Sequence, residues 1–221
     1  MKKICALFFN LTVVISMAGA FQPDTIITQK ALIVGFDVAG PAINILNSDV
    51  NNYEGYLSYR INHKFYGVIE AGYGSYQFSQ YNYSYSNQGY FSRIGIDINM
   101  LKPEIKTGNN YAGIGLRYGL SNFIQETTFI EYENYWGTYE GSIPESNGSA
   151  HFLEFTGGLK GELFKNVFIG WTLRLKLLLS CTSGEDNRPV NIPGMSVTDG
   201  GINPGITYYI AWQIPFKKGS E

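Results

Sequence analysis

The sequence predicts an all-β protein, an eight-stranded antiparallel transmembrane β-barrel, and three observations carry that prediction. Alternate residues from Val167 to Leu179 read Val167, Ile169, Trp171, Leu173, Leu175, Leu177 and Leu179, while the other register holds Thr172, Arg174 and Lys176. A period of two with one apolar side and one cationic side describes a strand between two unlike solvents. A leader opens the chain: Lys2 and Lys3 precede an apolar run from Ile4 to Ala18, and Ala18-Gly19-Ala20 has the small-x-small form of a signal peptidase site. The connections between the strands, finally, alternate long and short, as in outer-membrane barrels with long extracellular loops and short periplasmic turns.

The leader sets the organisation. Residues 1–20 read as a signal peptide, 21–30 as an N-terminal periplasmic segment, 31–216 as the barrel and 217–221 as a C-terminal tail. The apolar run is shorter than the roughly 20 residues of a spanning helix, and Cys5 lies too early in it for lipid attachment. Cys181 is then the only mature cysteine, so no internal disulfide is expected. Charged residues make up 15% of the chain, against roughly 25% in soluble domains, while Tyr 17, Phe 14 and Gly 26 stand out. A net charge of -2 offers no basic surface for nucleic acid. No stretch after residue 20 is apolar for 18 residues, so any membrane crossing falls to strands.

Each strand follows from its alternation. The first, about Ala31 to Val38, sets Leu32, Val34, Phe36 and Val38 against Gly35 and Asp37. The second, about Tyr53 to Ile61, opposes Tyr53, Leu57, Tyr59 and Ile61 to Glu54, Tyr56, Ser58 and Arg60. After a turn at Asn62-His63-Lys64, the third, about Phe65 to Phe78, opposes Phe65, Ile69, Ala71 and Tyr73 to Glu70, Gly72 and Gly74. The fourth, about Tyr90 to Asn99, sets Ile94, Ile96 and Ile98 against Arg93, Gly95 and Asp97. A turn near Pro103 and Gly108 leads into the fifth, about Tyr111 to Ser121, where Ala112, Ile114, Leu116, Tyr118 and Leu120 oppose glycines and Arg117. The sixth, about Ala150 to Leu163, opposes Leu153, Phe155 and Leu159 to Glu154, Gly158, Lys160 and Glu162. A Lys165-Asn166 turn joins it to the seventh, Val167 to Leu179. The eighth, about Ile206 to Phe216, opposes Ile206, Tyr208, Ile210, Trp212, Ile214 and Phe216 to Thr207, Tyr209 and Gln213. Long loops are expected at about 39–52, 79–89, 122–149 and 180–203.

Alternation alone does not say which face points inward, because a soluble calyx alternates too, with apolar residues inside. Composition favours the polar face as lumen. It carries the acids Asp37, Glu54, Glu70, Asp97, Glu154 and Glu162 beside the bases Arg60, Arg93, Arg117, Lys160, Arg174 and Lys176. Six against six, in a lumen that side chains just fill, reads as a paired polar core. The other face is nearly free of charge, as hydrocarbon demands: a cation at mid-bilayer costs about 2–4 kcal/mol. Such a lumen excludes a general diffusion pore; a proton or ion path is the functional alternative to a structural core.

Enzyme chemistry is thin, and neither catalytic activity nor a cofactor is expected. His63 falls in a turn. His151 lies near Ser149 and Glu154, but residues 151 and 154 of one strand point to opposite faces, so they form no dyad. No cysteine or histidine cluster has metal-ligand spacing. The loops carry more. The third long loop, from Thr127 to Tyr139, presents Tyr132, Tyr135, Trp136 and Tyr139 among glutamates, residue types that suit a protein-docking surface. The alternative is a hairpin that merely prolongs its strands, with tyrosines in an interfacial belt.

Several segments carry a resemblance. Gly115-Leu116-Arg117-Tyr118-Gly119, His151-Phe152-Leu153-Glu154-Phe155 with Gly158-Leu159-Lys160, Lys165-Asn166-Val167-Phe168-Ile169-Gly170, Leu173-Arg174-Leu175-Lys176 and Ile192-Pro193-Gly194 together resemble a family of small, uncharacterised outer-membrane β-barrels of Bacteroidota. Asp24-Thr25-Ile26 also resembles the O-glycosylation acceptor motif of those bacteria. The resemblance implies an eight-stranded barrel without known catalytic residues, and an accessory subunit of the β-barrel assembly machinery beside its insertase and surface lipoproteins. The chain departs from many proteobacterial barrels in ending on Lys217-Lys218-Gly219-Ser220-Glu221 after Phe216 rather than on an aromatic residue. The expected function is a non-enzymatic structural and interaction subunit in the bacterial outer membrane, with periplasmic termini. Its expected partners are outer-membrane lipid and other outer-membrane proteins or surface lipoproteins, not nucleic acid. A narrow channel, an adhesin or receptor, and a lipid-modifying enzyme using His151 are the alternatives.

Overall fold

Each long β-strand hydrogen-bonds to the next long strand in sequence and the last returns to the first. The computed structural model describes residues 30–46, 48–101, 109–183, 189–197 and 202–216. The leader, the Thr25 motif, the turn near Pro103 and Gly108, and the tail 217–221 lie outside the described residues. The elements are β1 (Ala31–Asp37), α1 (Ala39–Leu46), β2 (Val50–Arg60), β3 (Phe65–Gln80), β4 (Tyr83–Asn99), β5 (Tyr111–Asn134), β6 (Gly137–Phe164), β7 (Val167–Thr182), β8 (Asn191–Ile192), β9 (Ser196–Val197) and β10 (Ile202–Pro215). The eight long strands form a closed antiparallel ring in the order β1-β10-β7-β6-β5-β4-β3-β2, and the little β8-β9 pair stands apart from it. The seam is the β1–β10 ladder, from Ala31↔Pro215 to Asp37↔Tyr209. Among the described residues no helix is long and apolar enough to cross a membrane, which says nothing about strands.

The eight expected strands are present, and the differences lie in the connections. The expected loops 79–89 and 122–149 are largely strand. β3 and β4 continue to a Tyr81-Asn82 turn and β5 and β6 to a Tyr135-Trp136 turn, so one side of the ring rises as a wall beyond the other. Tyr, Thr, Ile and Phe, which fit a pleated surface, supply the ladders, and register shifts near Thr127 absorb the mismatch between β5 and β6. At the tip Gly137 has φ +130°, a conformation open to glycine, and Asn134 Oδ1 accepts from the Trp136 N–H at 2.8 Å.

The expected loop 39–52 contains α1. Asp37 caps it, its Oδ1 accepting from the Ala39 N–H at 3.0 Å and its Oδ2 from the Gly40 N–H at 2.9 Å. A Cβ at Gly40 would run into the Asn52 carbonyl, so the helix lies directly on β2. The expected loop 180–203 does not simply project outward: its residues Asn191–Val197 form a turn that enters the ring. Ile192 and Met195 are buried there against Phe123, Ala150 and Phe152, and Gly194 turns the chain at φ +77°.

The two faces of the ring are opposite in character. Val34, Phe36, Leu57, Ile69, Ile94, Ile96, Leu116, Leu173, Leu175 and Ile206 stand exposed on the outer face. Asp37, Glu54, Arg60, Glu70, Arg93, Arg117, Glu154, Lys160, Arg174 and Lys176 are buried within. The interior is layered. Ile33, Tyr66, Tyr111, Phe168 and Ala211, with Tyr56 and Tyr209 against them, fill the end of the short turns. The inserted turn and its phenylalanines fill the end of the long hairpins, and charged side chains occupy the level between. Gly35 shows how bulk is fitted in: a Cβ there would strike the Tyr56 ring.

Candidate functional site

The middle layer is assembled from six adjacent strands. Glu54 comes from β2, Glu70 from β3, Arg93 and Asp97 from β4, Arg117 from β5, Glu154 from β6 and Arg174 from β7. Period-two alternation delivers all seven inward, and the register sets two pairs directly opposite, Glu70↔Arg93 and Arg117↔Glu154. Arg174 is the hub. Its Nη2 lies 2.8 Å from Glu54 Oε1, its Nη1 2.7 Å from Glu70 Oε2 and 2.9 Å from Glu154 Oε2, and its Nε donates to Thr207 Oγ1 at 2.8 Å. Arg93 faces the same three acids, Nη1 at 2.8 Å from Glu54 Oε2 and 3.1 Å from Glu70 Oε2, and Nε at 2.8 Å from Glu154 Oε1. Arg117 closes the set with Nε at 2.8 Å from Glu70 Oε1 and Nη2 at 3.1 Å from Asp97 Oδ2, and it donates to Thr156 Oγ1.

Ionised groups taken out of water survive when partners replace the lost hydration. Glu154, at 0% exposure, has a guanidinium on each oxygen. Three forked cations interleaved with four carboxylates tie six strands together as a cross-brace.

The other five expected lumen charges do not join this network; among the described residues they form no ion pair. Asp37 caps α1. Arg60 donates to Asn109 Oδ1 at 3.2 Å and to Gln213 Oε1 at 3.0 Å. Lys160 Nζ sits among the rings of Tyr66, Tyr111 and Phe168, 5.3–5.5 Å from their centroids. Half-buried Glu162 accepts from Asn109 Nδ2 at 3.1 Å and from the Asn166 N–H at 2.9 Å. Lys176 Nζ donates to the Gly194 carbonyl at 2.9 Å. Charge count alone treats these groups as equivalent, whereas Asp37, Arg60, Lys160 and Glu162 lie toward strand ends, and Lys176, although opposite Glu154 in the β6–β7 register, turns to the Gly194 carbonyl while two guanidiniums hold Glu154.

The expected docking residues cluster at the tip of the β5–β6 hairpin. Tyr132 and Tyr139 face each other across the ladder with centroids 5.1 Å apart, and Tyr135 meets Trp136 edge-on at 5.3 Å. Tyr135 and Trp136 are 93% and 89% exposed. On the opposite face of the hairpin Glu131 stands across from Glu140. His151 points outward, its Nδ1 2.7 Å from the Tyr118 hydroxyl, while Glu154 points inward, so the two do not meet. His63 Nε2 lies 3.0 Å from the Leu101 carbonyl in the turn after β2. Among the described residues no group of histidine, cysteine or acidic side chains could hold a metal ion.

Residue patterns missed the inserted turn, although Pro193-Gly194 inside an apolar Ile192…Met195 pair is a turn signal with side chains to bury. A comparison with curated proteins gives no match. A family model does match, from the first residue through the last strand: the chain belongs to the family described as Domain of unknown function (DUF6048), over residues 1–219.

Proposed function

We propose that the chain is an integral β-barrel of a bacterial outer membrane, a non-enzymatic subunit that spans the bilayer and holds partner proteins with its surface hairpins. The observation that carries this reading is the inverted ring: large apolar side chains cover the outer wall while the charges lie inside. Water would penalise such a wall, whereas hydrocarbon requires it. Exposed Phe65, Phe164, Trp212 and Phe216 near the short turns, and Phe36, Tyr53 and Tyr90 nearer the long hairpins, fit two aromatic girdles around an aliphatic band of Val34, Leu57, Ile69, Ile94 and Leu173. In this reading the short turns and both termini are periplasmic, the tall β3–β6 wall is extracellular, and the apolar run of residues 4–18 is the export signal.

The interior argues for structure rather than transport, since a central ionic layer and an inserted turn occupy the lumen. The hairpin tip, with a tyrosine pair, a Tyr-Trp pair and acids, is the surface for a protein partner. The resemblance to small barrels of Bacteroidota makes the β-barrel assembly machinery the complex in which to look first. The test is fractionation of cells expressing the full chain. The protein is expected in the outer-membrane fraction, resistant to urea extraction and migrating anomalously on gels unless boiled. Recovery as a soluble protein or a urea-extractable peripheral one would overturn the reading.

A further inference from the structure

A cavity of about 210 Å³ lies at the long-hairpin end of the interior, between α1, β2 and the Asn191–Val197 turn. At about 30 Å³ per water it has room for roughly seven waters, or for one small organic molecule. Its wall reaches the exposed Ile43 and Ser196, so it is approached from that end.

The charges lining it are committed with one exception. Both Asp37 oxygens accept from the α1 backbone. Glu54 is held on one oxygen by Arg174 and on the other by Arg93, and those guanidiniums are shared in turn with Glu70 and Glu154. Lys176 remains. It is 7% exposed, its Nζ makes one hydrogen bond, to the Gly194 carbonyl, and it has no carboxylate at ion-pair distance among the described residues. An ammonium has three donors, so two await acceptors. The same cavity is lined by Asn87, 3% exposed, whose amide nitrogen donates to the Tyr85 hydroxyl at 3.1 Å and the Asn191 carbonyl at 3.0 Å while its Oδ1 has no partner. A buried cation with spare donors and a buried acceptor without a donor, both in the wall of one cavity, ask for a molecule that supplies both complements.

We propose that this cavity binds a small 2-hydroxy or 2-amino acid, its carboxylate against Lys176 and its hydroxyl or amino hydrogen donated to Asn87 Oδ1. Bidentate or shared contacts to the guanidiniums are not needed, because their acceptors are already in place. Neither observation depends on what surrounds the outer wall, so this inference and the membrane reading fail independently.

Isothermal titration calorimetry of the purified full-length chain in detergent micelles tests it, with malate as probe and succinate as the analogue lacking the hydroxyl. Malate is expected to bind, and succinate about tenfold more weakly. Lys176→Met is expected to weaken malate at least about tenfold and Lys176→Arg to retain it, since a charge-assisted contact is lost in the first and kept in the second. Circular dichroism reports whether each variant is folded. Should Lys176→Met not fold, Asn87→Asp decides, because a second carboxylate beside the ligand is expected to weaken malate by a similar factor. Absence of binding heat with the wild-type chain, or unchanged malate affinity in the folded variants, would overturn the proposal and leave a hydrated cavity. Equal affinity for malate and succinate would overturn the role given to Asn87.

Discussion

Arg174 engages Glu54, Glu70 and Glu154 at once, so its removal leaves Glu54 and Glu154 with Arg93 as their one guanidinium partner and Glu70 with Arg93 and Arg117. Breaking a buried pair typically costs about 3–5 kcal/mol. Arg174→Ala is therefore expected to lower the denaturant midpoint of the folded protein far more than Lys165→Ala, whose side chain is solvated in a turn and whose loss falls within about 0.5 kcal/mol. A midpoint for Arg174→Ala within error of Lys165→Ala would mean that the layer is not a brace. Glu154→Ala belongs in the same series, and a double variant with Arg174 is expected to cost less than the sum, because the two share one contact network. The members of this network were legible as charges on the inward register, Glu154 and Arg174 among them. Which of the charges pair was not, because pairing depends on height along the ring axis. That height follows from strand stagger, and alternation carries no record of it: Lys160 shares a strand with Glu154 yet ends among aromatic rings.

The β5–β6 hairpin gives an element-scale prediction. Truncating an aromatic residue at the centre of an interface costs about 2 kcal/mol or more, whereas a solvated one costs little. Changing Tyr135, Trp136 and Tyr139 together to Ser is expected to leave the anomalous gel mobility intact and to abolish co-purification of outer-membrane proteins after crosslinking. An undiminished partner set would remove the tip as the docking surface. The inserted turn predicts differently. Gly194 combines φ +77° with a Cβ position that runs into the Phe91 ring, so Gly194→Ala is expected to destabilise by about 1–3 kcal/mol, read as a lower midpoint with unchanged hairpin accessibility to protease. Strand cores were readable because Val, Ile and Leu alternate strictly there. The hairpin extensions stand open in the sequence between loop and prolonged hairpin because Ser, Asn and Gln replace the apolar register once both faces are polar, while the backbone ladder continues regardless. Helix α1 is obscured in the sequence for the opposite reason: Ile43 and Ile45 alternate as a strand would, and Asp37 as the cap with Pro41 in the first turn are what mark a helix.

At the scale of the whole molecule, the unequal ends of the ring predict a sidedness. With Cys181 first changed to Ser, a cysteine at Thr138 is expected to react with an impermeant maleimide on intact cells and one at Lys165 only after the outer membrane is opened; the reverse pattern would invert the orientation. The closed ring also has an unequal circumference. β1 contributes seven residues to it, whereas β5 contributes 24 and β6 28, and β1 must meet a partner strand some 180 residues away in sequence. Neighbouring hairpins close short loops and assemble early, while a pairing between chain ends waits on the largest loop and has only a short ladder to reward it. The last event of folding is then expected to be the zipping of Ala31–Asp37 onto Tyr209–Pro215, and the first event of opening its reversal. Amide exchange is expected to be fastest, within the ring, at β1 and its β10 face and slowest at the Glu70–Arg93 and Arg117–Glu154 rungs. A ring that opens at one defined place has a front door, and a nascent or neighbouring strand arriving at the wall would find a transient edge there.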